Sequence, residues 1–150
     1  MLFRSERLPR DHELTIVTNS LGLATVIAQH PNLSLYLLGG RVRGRTLAAV
    51  GSWVTNALQD VFVDVAFIGT NGLSTERGLT TPDQSEAAAK HAMIKAARRS
   101  VVLTDHTKIG VDHFSRFADL EDIAAIITDD GLDPETAAQI EALGPELVLA

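Results

Sequence analysis

No cysteine occurs among the 150 residues, so neither a disulfide nor thiolate chemistry is open to this chain. No apolar run reaches the roughly 18 residues that a membrane-crossing helix needs. The opening MLFRSERLPR lacks the apolar core, about 7–15 residues long, of a secretory signal. Positive charge is scarce as well: 13 Lys and Arg against 19 Asp and Glu leave a net −6. Gripping a phosphate backbone takes clustered Lys and Arg, so this balance makes the chain a poor nucleic-acid binder by itself. The histidines (His12, His30, His91, His106 and His113) show no H-E-x-x-H or similar spacing, so no metal site is expected. Internal repeats, low-complexity segments and linkers are absent too. The expectation left is a cytoplasmic protein, away from the membrane, with neither metal nor organic cofactor.

What is present reads as one globular domain. The length suits a single domain, which at this size buries about 68–70% of the surface its unfolded chain exposes. The 45% hydrophobic and 21% charged content is ordinary for such a domain. Strand-like and helix-like segments alternate. LTIV (14–17), LSLYLL (33–38), VDVAFIG (63–69), VVLTD (101–105), AAIITDD (124–130) and the final ELVLA read as strands. Between them, LGLATVIAQH has helical spacing, and apolar residues from 46 to 61 fall on one helical face. DPETAAQIEALG carries Asp133 as N-cap, Pro134 at the first helical position and Gly144 as a stop. VDVAFIG is nearly continuous in apolar residues, as expected of a strand buried on both faces. The β-α order predicts an α/β fold: a mostly parallel sheet of about six strands with helices on both faces. The stretch 106–118 shows no clear periodicity and is a candidate functional loop by its length.

In an open parallel sheet, ligands bind outside the carboxyl ends of the strands. Here those ends read TNS, GGR, GTNG, TDHTK and TDDG, all small or polar. Beside one of them, GLTTPDQSEAAAK (78–90) has a capping-box pattern in Thr81 and Gln84, with Pro82 at the first helical position. A helix is therefore predicted from about residue 82, its free N–H groups and dipole forming an anion site. Glu86 and Lys90 lie four apart in the favourable order. Two readings stand for them, a surface ion pair or part of a site. GGRVRGRT (39–46) approaches G-x-x-x-x-G-K-[ST], with Arg45 in place of Lys and Asp105 as a possible metal carboxylate. Arg is not an equivalent point charge there, so a nucleotide-hydrolysing enzyme is a lesser alternative, and a tight turn with solvated arginines explains the segment more simply.

Taken together, TIVTNSLGLA, LYLLGGRVRGRTLAAVG, DVAFIGTNGLSTERGLTTPDQSEAAAKHAMIKAA, VVLTDHTKIG and ITDDGL resemble, in order and spacing, the effector-sensing domain of the DeoR family of bacterial sugar-metabolism repressors. The resemblance covers about residues 14 to 133. It implies a Rossmann-like fold similar to ribose-5-phosphate isomerase and glucosamine-6-phosphate deaminase. It also implies a phosphorylated sugar or related metabolite as effector, homo-oligomerisation, and DNA binding through an N-terminal winged helix-turn-helix. Neither that winged helix nor the family's first strand and Gly-Thr-Thr-rich loop is found in the sequence. The expectation is a single sensor domain over 1–150, incomplete at its N-terminus and without a DNA-binding domain.

In the isomerase, the loop matching GTNGLS carries two acids. Asn71 and Ser74 stand there instead, and neither is a base near neutral pH. Glu86 falls where the resemblance would place a general base, and Lys108 where it would place a lysine. This partial set implies a pocket kept for sensing without turnover, hence no catalytic residues. The effector contacts implied are Asn19 and Ser20 at a helix start, Gly39 and Gly40 at a close backbone approach, and Asn71 and Gly72 on the pocket floor. Thr80 and Thr81 are expected to face the anion, with Glu86, Lys90 and Lys108 around it. The alternatives are an oligomerisation module with a vestigial pocket, and more remotely a sugar-phosphate isomerase.

Overall fold

The computed structural model describes residues 13–150. They fall into two compact units that divide between residues 57 and 58. His12 and the opening decapeptide lie outside the described residues.

The first unit holds a parallel pair, β1 (Leu14–Thr18) and β2 (Leu33–Leu37), joined through helix α1 (Leu21–Ile27). A parallel pair needs such a crossover. Ser20 starts α1 by accepting a hydrogen bond from the Leu23 N–H, and Ala24 and Ile27, three apart, supply its buried face. Next come an antiparallel pair, β3 (Arg41–Arg43) with β4 (Ala48–Val50), and helix α2 (Ser52–Ala57). This corrects the single helical face expected from 46 to 61. Ala48–Val50 find ladder partners in Arg41–Arg43, and Gly51, at a φ of 98°, turns the chain before α2 can start. The same hairpin disposes of the nucleotide-loop reading. Thr46 leads into a strand, so no helix N-terminus follows the glycines to receive a phosphate.

The second unit is built on a parallel four-stranded sheet in the order β11 (Glu146–Leu149), β10 (Ala125–Thr128), β8 (Ala97–Leu103), β5 (Val63–Gly69). Helix α3 (Gln84–Lys95) lies between β5 and β8 in the chain, and α4 (Pro134–Glu141) between β10 and β11. The strands follow one another across the sheet in chain order, so right-handed crossovers put both helices on the same face. That face is the core. Ile68, Val102, Ile126 and Leu147 form one register row, and Ala87 and Ile94 of α3 and Ile140 of α4 join the same buried cluster. The opposite side of β5 is open, with Val65 at 40% and Phe67 at 61% exposure. The strand is thus buried on one face, not on both as its apolar run suggested. A second layer, antiparallel, joins β6 (Gly72–Ser74), β7 (Gly78–Thr81) and β9 (Ser115–Ala118), and its Leu73, Leu79 and Phe117 complete the core.

The fold is α/β. Six strands do lie in parallel ladders, but as four in one unit and two in the other, hydrogen-bonded as separate sheets.

Candidate functional site

The second unit gathers most of the expected contacts where β5 ends and β7 runs into α3. Thr70, just past β5, donates its hydroxyl to the Gly72 carbonyl at 2.7 Å and lies 3.2 Å from that of Thr80. This pins a tight turn with Asn71 at its corner. The Asn71 backbone closes the turn from both sides: its N–H donates to Thr80 O at 3.3 Å, and its carbonyl lies 3.2 Å from His113 Nε2. Gly72 is required by packing. A Cβ there would lie 2.3 Å from the Val111 carbonyl oxygen, a backbone atom that cannot swing away.

Thr81, fully buried, lies with its hydroxyl 2.9 Å from Asn71 Oδ1 and 3.3 Å from Glu86 Oε2. A hydroxyl has one proton to give, so the two acceptors share it, the amide oxygen having the shorter contact. Thr80 is buried too, and its hydroxyl accepts the His113 N–H at 3.0 Å. Both threonine hydroxyls are thus turned into the protein, where they brace Asn71 and His113. No buried side-chain nitrogen or oxygen among the described residues lacks a hydrogen-bond partner.

Helix α3 begins two residues later than its sequence suggested. Thr81 is the last residue of β7, held opposite Ser115 of β9, with its hydroxyl turned to the Asn71 and Glu86 side chains instead of a helix N–H. Asp83 caps instead, its carboxylate accepting the Glu86 N–H at 2.9 Å. The expected anion position at this helix end is therefore taken by the protein's own carboxylate.

One turn into α3, Glu86 is 8% exposed and Lys90 half-buried, so the surface ion-pair reading fails on burial. Lys90 Nζ donates to the Gly69 carbonyl at 2.8 Å, the last residue of β5, and sits 5.2 Å from the centre of the Phe117 ring. Burial holds the ammonium's pKa below its ordinary 10.5; Glu86 pulls it back up, and the charge of Lys108 pushes it further down. Lys108 ends a short 3-10 turn, 106–108, that follows β8. Asp105 caps the turn through the Thr107 N–H and hydroxyl and pairs with Lys108 Nζ at 3.1 Å. The capping bonds, that from the Thr107 hydroxyl foremost, hold the Asp105 carboxyl below its usual range. Ser74, the other replacement for an isomerase acid, donates to Asp112 at 2.6 Å.

Beside this constellation lies an open cleft of about 360 Å³, lined by Glu76, Arg77, Thr80, His113, Phe114 and Arg116. Its arginines are already paired, Arg77 with Asp112 and Arg116 with Asp119. Among the described residues no group of three His, Asp or Glu side chains could hold a metal ion.

The remaining expected contacts belong to the first unit. Asn19 donates its amide to the Ala49 carbonyl at 2.8 Å, and Ser20 is spent as the cap of α1. Gly40 has a φ of 148°, and a Cβ on it would lie 2.9 Å from Val50 O, whereas nothing lies within 4 Å of a Cβ at Gly39. Thr70 and Phe117 were not singled out in the sequence, and His113 was weighed there only as a metal ligand. Only Thr70 had a local signal, its place in GTNG at a strand end. The other two reach the site through partners more than 25 residues away, Phe117 through Lys90 and His113 through Thr80.

The chain is similar to regulators of transcription. It is 38% identical over 144 residues to the HTH-type transcriptional regulator GlpR of Haloferax volcanii, covering 96% of this chain and 56% of that one. To the HTH-type transcriptional repressor GlcR of Bacillus subtilis it is 36% identical over 117 residues, covering 78% of this chain and 45% of the repressor. To the putative aga operon transcriptional repressor of Escherichia coli O157:H7 it is 27% identical, covering 98% and 55%. The chain thus spans about half the length of the curated relatives it matches. These relatives are named as regulators and repressors, not as enzymes. Residues 2–130 match the family described as the DeoR C terminal sensor domain, and the chain belongs to that family.

Proposed function

We propose that the second unit binds a phosphorylated sugar, or a related metabolite, at the carboxyl ends of β5 and β8, as the sensor of a sugar-metabolism repressor. The observation that carries this is Lys90. A half-buried ammonium is costly to hold, yet this one is fixed at the end of a parallel strand, near enough to Lys108 for their charges to oppose. An anion accepted by both lysines relieves that opposition through charge-assisted hydrogen bonds. Asn71 and the Gly72 turn form the floor, Glu86 offers a carboxylate to hydroxyls, and Thr80 and Thr81 hold the walls. Asn19, Ser20, Gly39 and Gly40 are proposed as contacts at the strand ends of their own unit.

The finer parts of the reading belong to the same proposal: a Rossmann-like sheet of about six strands, homo-oligomerisation, a cytoplasmic setting, and coupling to DNA through a winged helix. The relatives' designation as HTH-type regulators supports the last.

Thermal unfolding against ribose 5-phosphate, fructose 6-phosphate, glucose 6-phosphate and inorganic phosphate tests it. A ligand at a hundred times its Kd adds about 2.7 kcal/mol, which for a chain of this size raises Tm by roughly 5–11 °C. No rise with any of them, in a chain that sizes as a stable dimer or tetramer, would favour the oligomerisation module instead.

A further inference from the structure

At the ends of the adjacent parallel strands β8 and β10, His106 and Asp129 form a dyad that the sequence reading passed over. Both Asp129 oxygens are used on this one residue. Oδ1 accepts the His106 backbone N–H at 2.7 Å, and Oδ2 lies 2.7 Å from His106 Nδ1. Those two bonds, the ring's foremost, hold the Asp129 carboxyl below its usual range, so it is an acceptor at neutral pH. In the neutral ring Nδ1 then carries the proton, which leaves Nε2 with a lone pair.

Gly131 makes room for the ring. A Cβ at that position would lie 2.4 Å from Nδ1 and 2.5 Å from Cε1, so only glycine lets the imidazole lie in its clamp. The side chain is nonetheless 42% exposed, and among the described residues Nε2 makes no hydrogen bond. A ring clamped by Asp129 with its acceptor atom left open is a preorganised contact. Its charged neighbours are Asp105 and Lys108 on its own turn, and Asp129 and Asp130 on the facing loop.

We propose that His106 Nε2 accepts a hydrogen bond from a hydroxyl of the effector's sugar, with Asp129 as the positioning residue that sets its tautomer. This rests on the phosphosugar reading above. Lys108, two residues along the same turn, takes the phosphate, so one short segment reads both ends of the ligand. Neither sequence motif shows the pairing, because 23 residues separate the partners.

Calorimetric titration at pH 7.5 of the wild type, His106→Ala and Asp129→Asn tests this, with inorganic phosphate and the tightest-binding of the three sugar phosphates. In Asp129→Asn the amide NH₂ faces Nδ1, and the ring proton moves to Nε2, turning an acceptor into a donor. Imidazole ¹⁵N spectra report that change directly. The expected result is a loss of about tenfold or more for the sugar phosphate in both variants, with phosphate affinity unchanged. Equal sugar-phosphate affinity in all three proteins overturns the role of His106 and leaves the phosphosugar reading standing. Equal losses for both ligands overturn it too, since they show a clamp that merely holds the turn. A wild type that binds neither ligand overturns both readings together.

Discussion

Lys90 shows what a single residue can be asked. Its folded pKa lies below 10.5, chiefly through burial. Between that folded value and 10.5 the unfolded chain binds more protons than the folded one, so this residue makes stability rise with pH across that window. Below the window its desolvation cost is fully present. Lys90→Met removes that cost along with the bond to Gly69, a bond worth about 0.5–1.5 kcal/mol. The two terms oppose, and urea unfolding is expected to move by no more than about 1 kcal/mol, while the Tm rise with sugar phosphate vanishes. A variant that keeps that rise would show the lysine to be structural. The i, i+4 spacing made Glu86 and Lys90 visible in the sequence as a pair. Their burial was not visible, because Phe117 and Gly69, which meet Lys90, are distant in the chain.

At the scale of elements, local chemistry decided where nothing distant competed. VDVAFIG became β5 with the expected bounds, and Asp133 caps α4 with Pro134 behind it and Gly144 beyond its end. Where a ladder competed, the ladder won. Thr81 has the composition of a cap, but β7 pairs it with Ser115, 34 residues away, and the cap passed to Asp83. Ala48–Val50 were drawn from a helical pattern into β4 in the same way. Asp83→Ala is therefore expected to cost about 0.5–2 kcal/mol and lower the urea midpoint, whereas Asp83→Ser restores most of it. An unchanged midpoint in Asp83→Ala would return the capping role to Thr81.

For the whole molecule, three surface carboxylates with lowered pKa contribute to the acid response. Asp105 is held below 3.8 by the Thr107 hydroxyl first, Asp129 by the His106 ring, and Asp133 by the Thr136 N–H. Their stabilisation is present above the unfolded pKa and is lost as pH falls through each lowered folded value. Tm is expected to hold down to about pH 4 and fall below it, less steeply in Asp129→Asn than in the wild type. Equal acid limbs in the two would remove Asp129 from the account. The alternation of segments disclosed the α/β class, but not that its parallel strands divide four and two. It also left 106–118 as a stretch without clear periodicity, a candidate functional loop by its length. In the structure that stretch is metered. Ile109 bridges to Leu73 at one end, and Ala118 pairs with Leu79 at the other. The first is a single bridge, and the second includes a bulge that leaves Phe117 without a ladder partner while both it and Ala118 are buried. One residue more or fewer between them has to be taken up between Ile109 and Ser115 or else displaces the buried ring of Phe117. A segment whose spelling looks free is therefore a ruler, its information carried in its length.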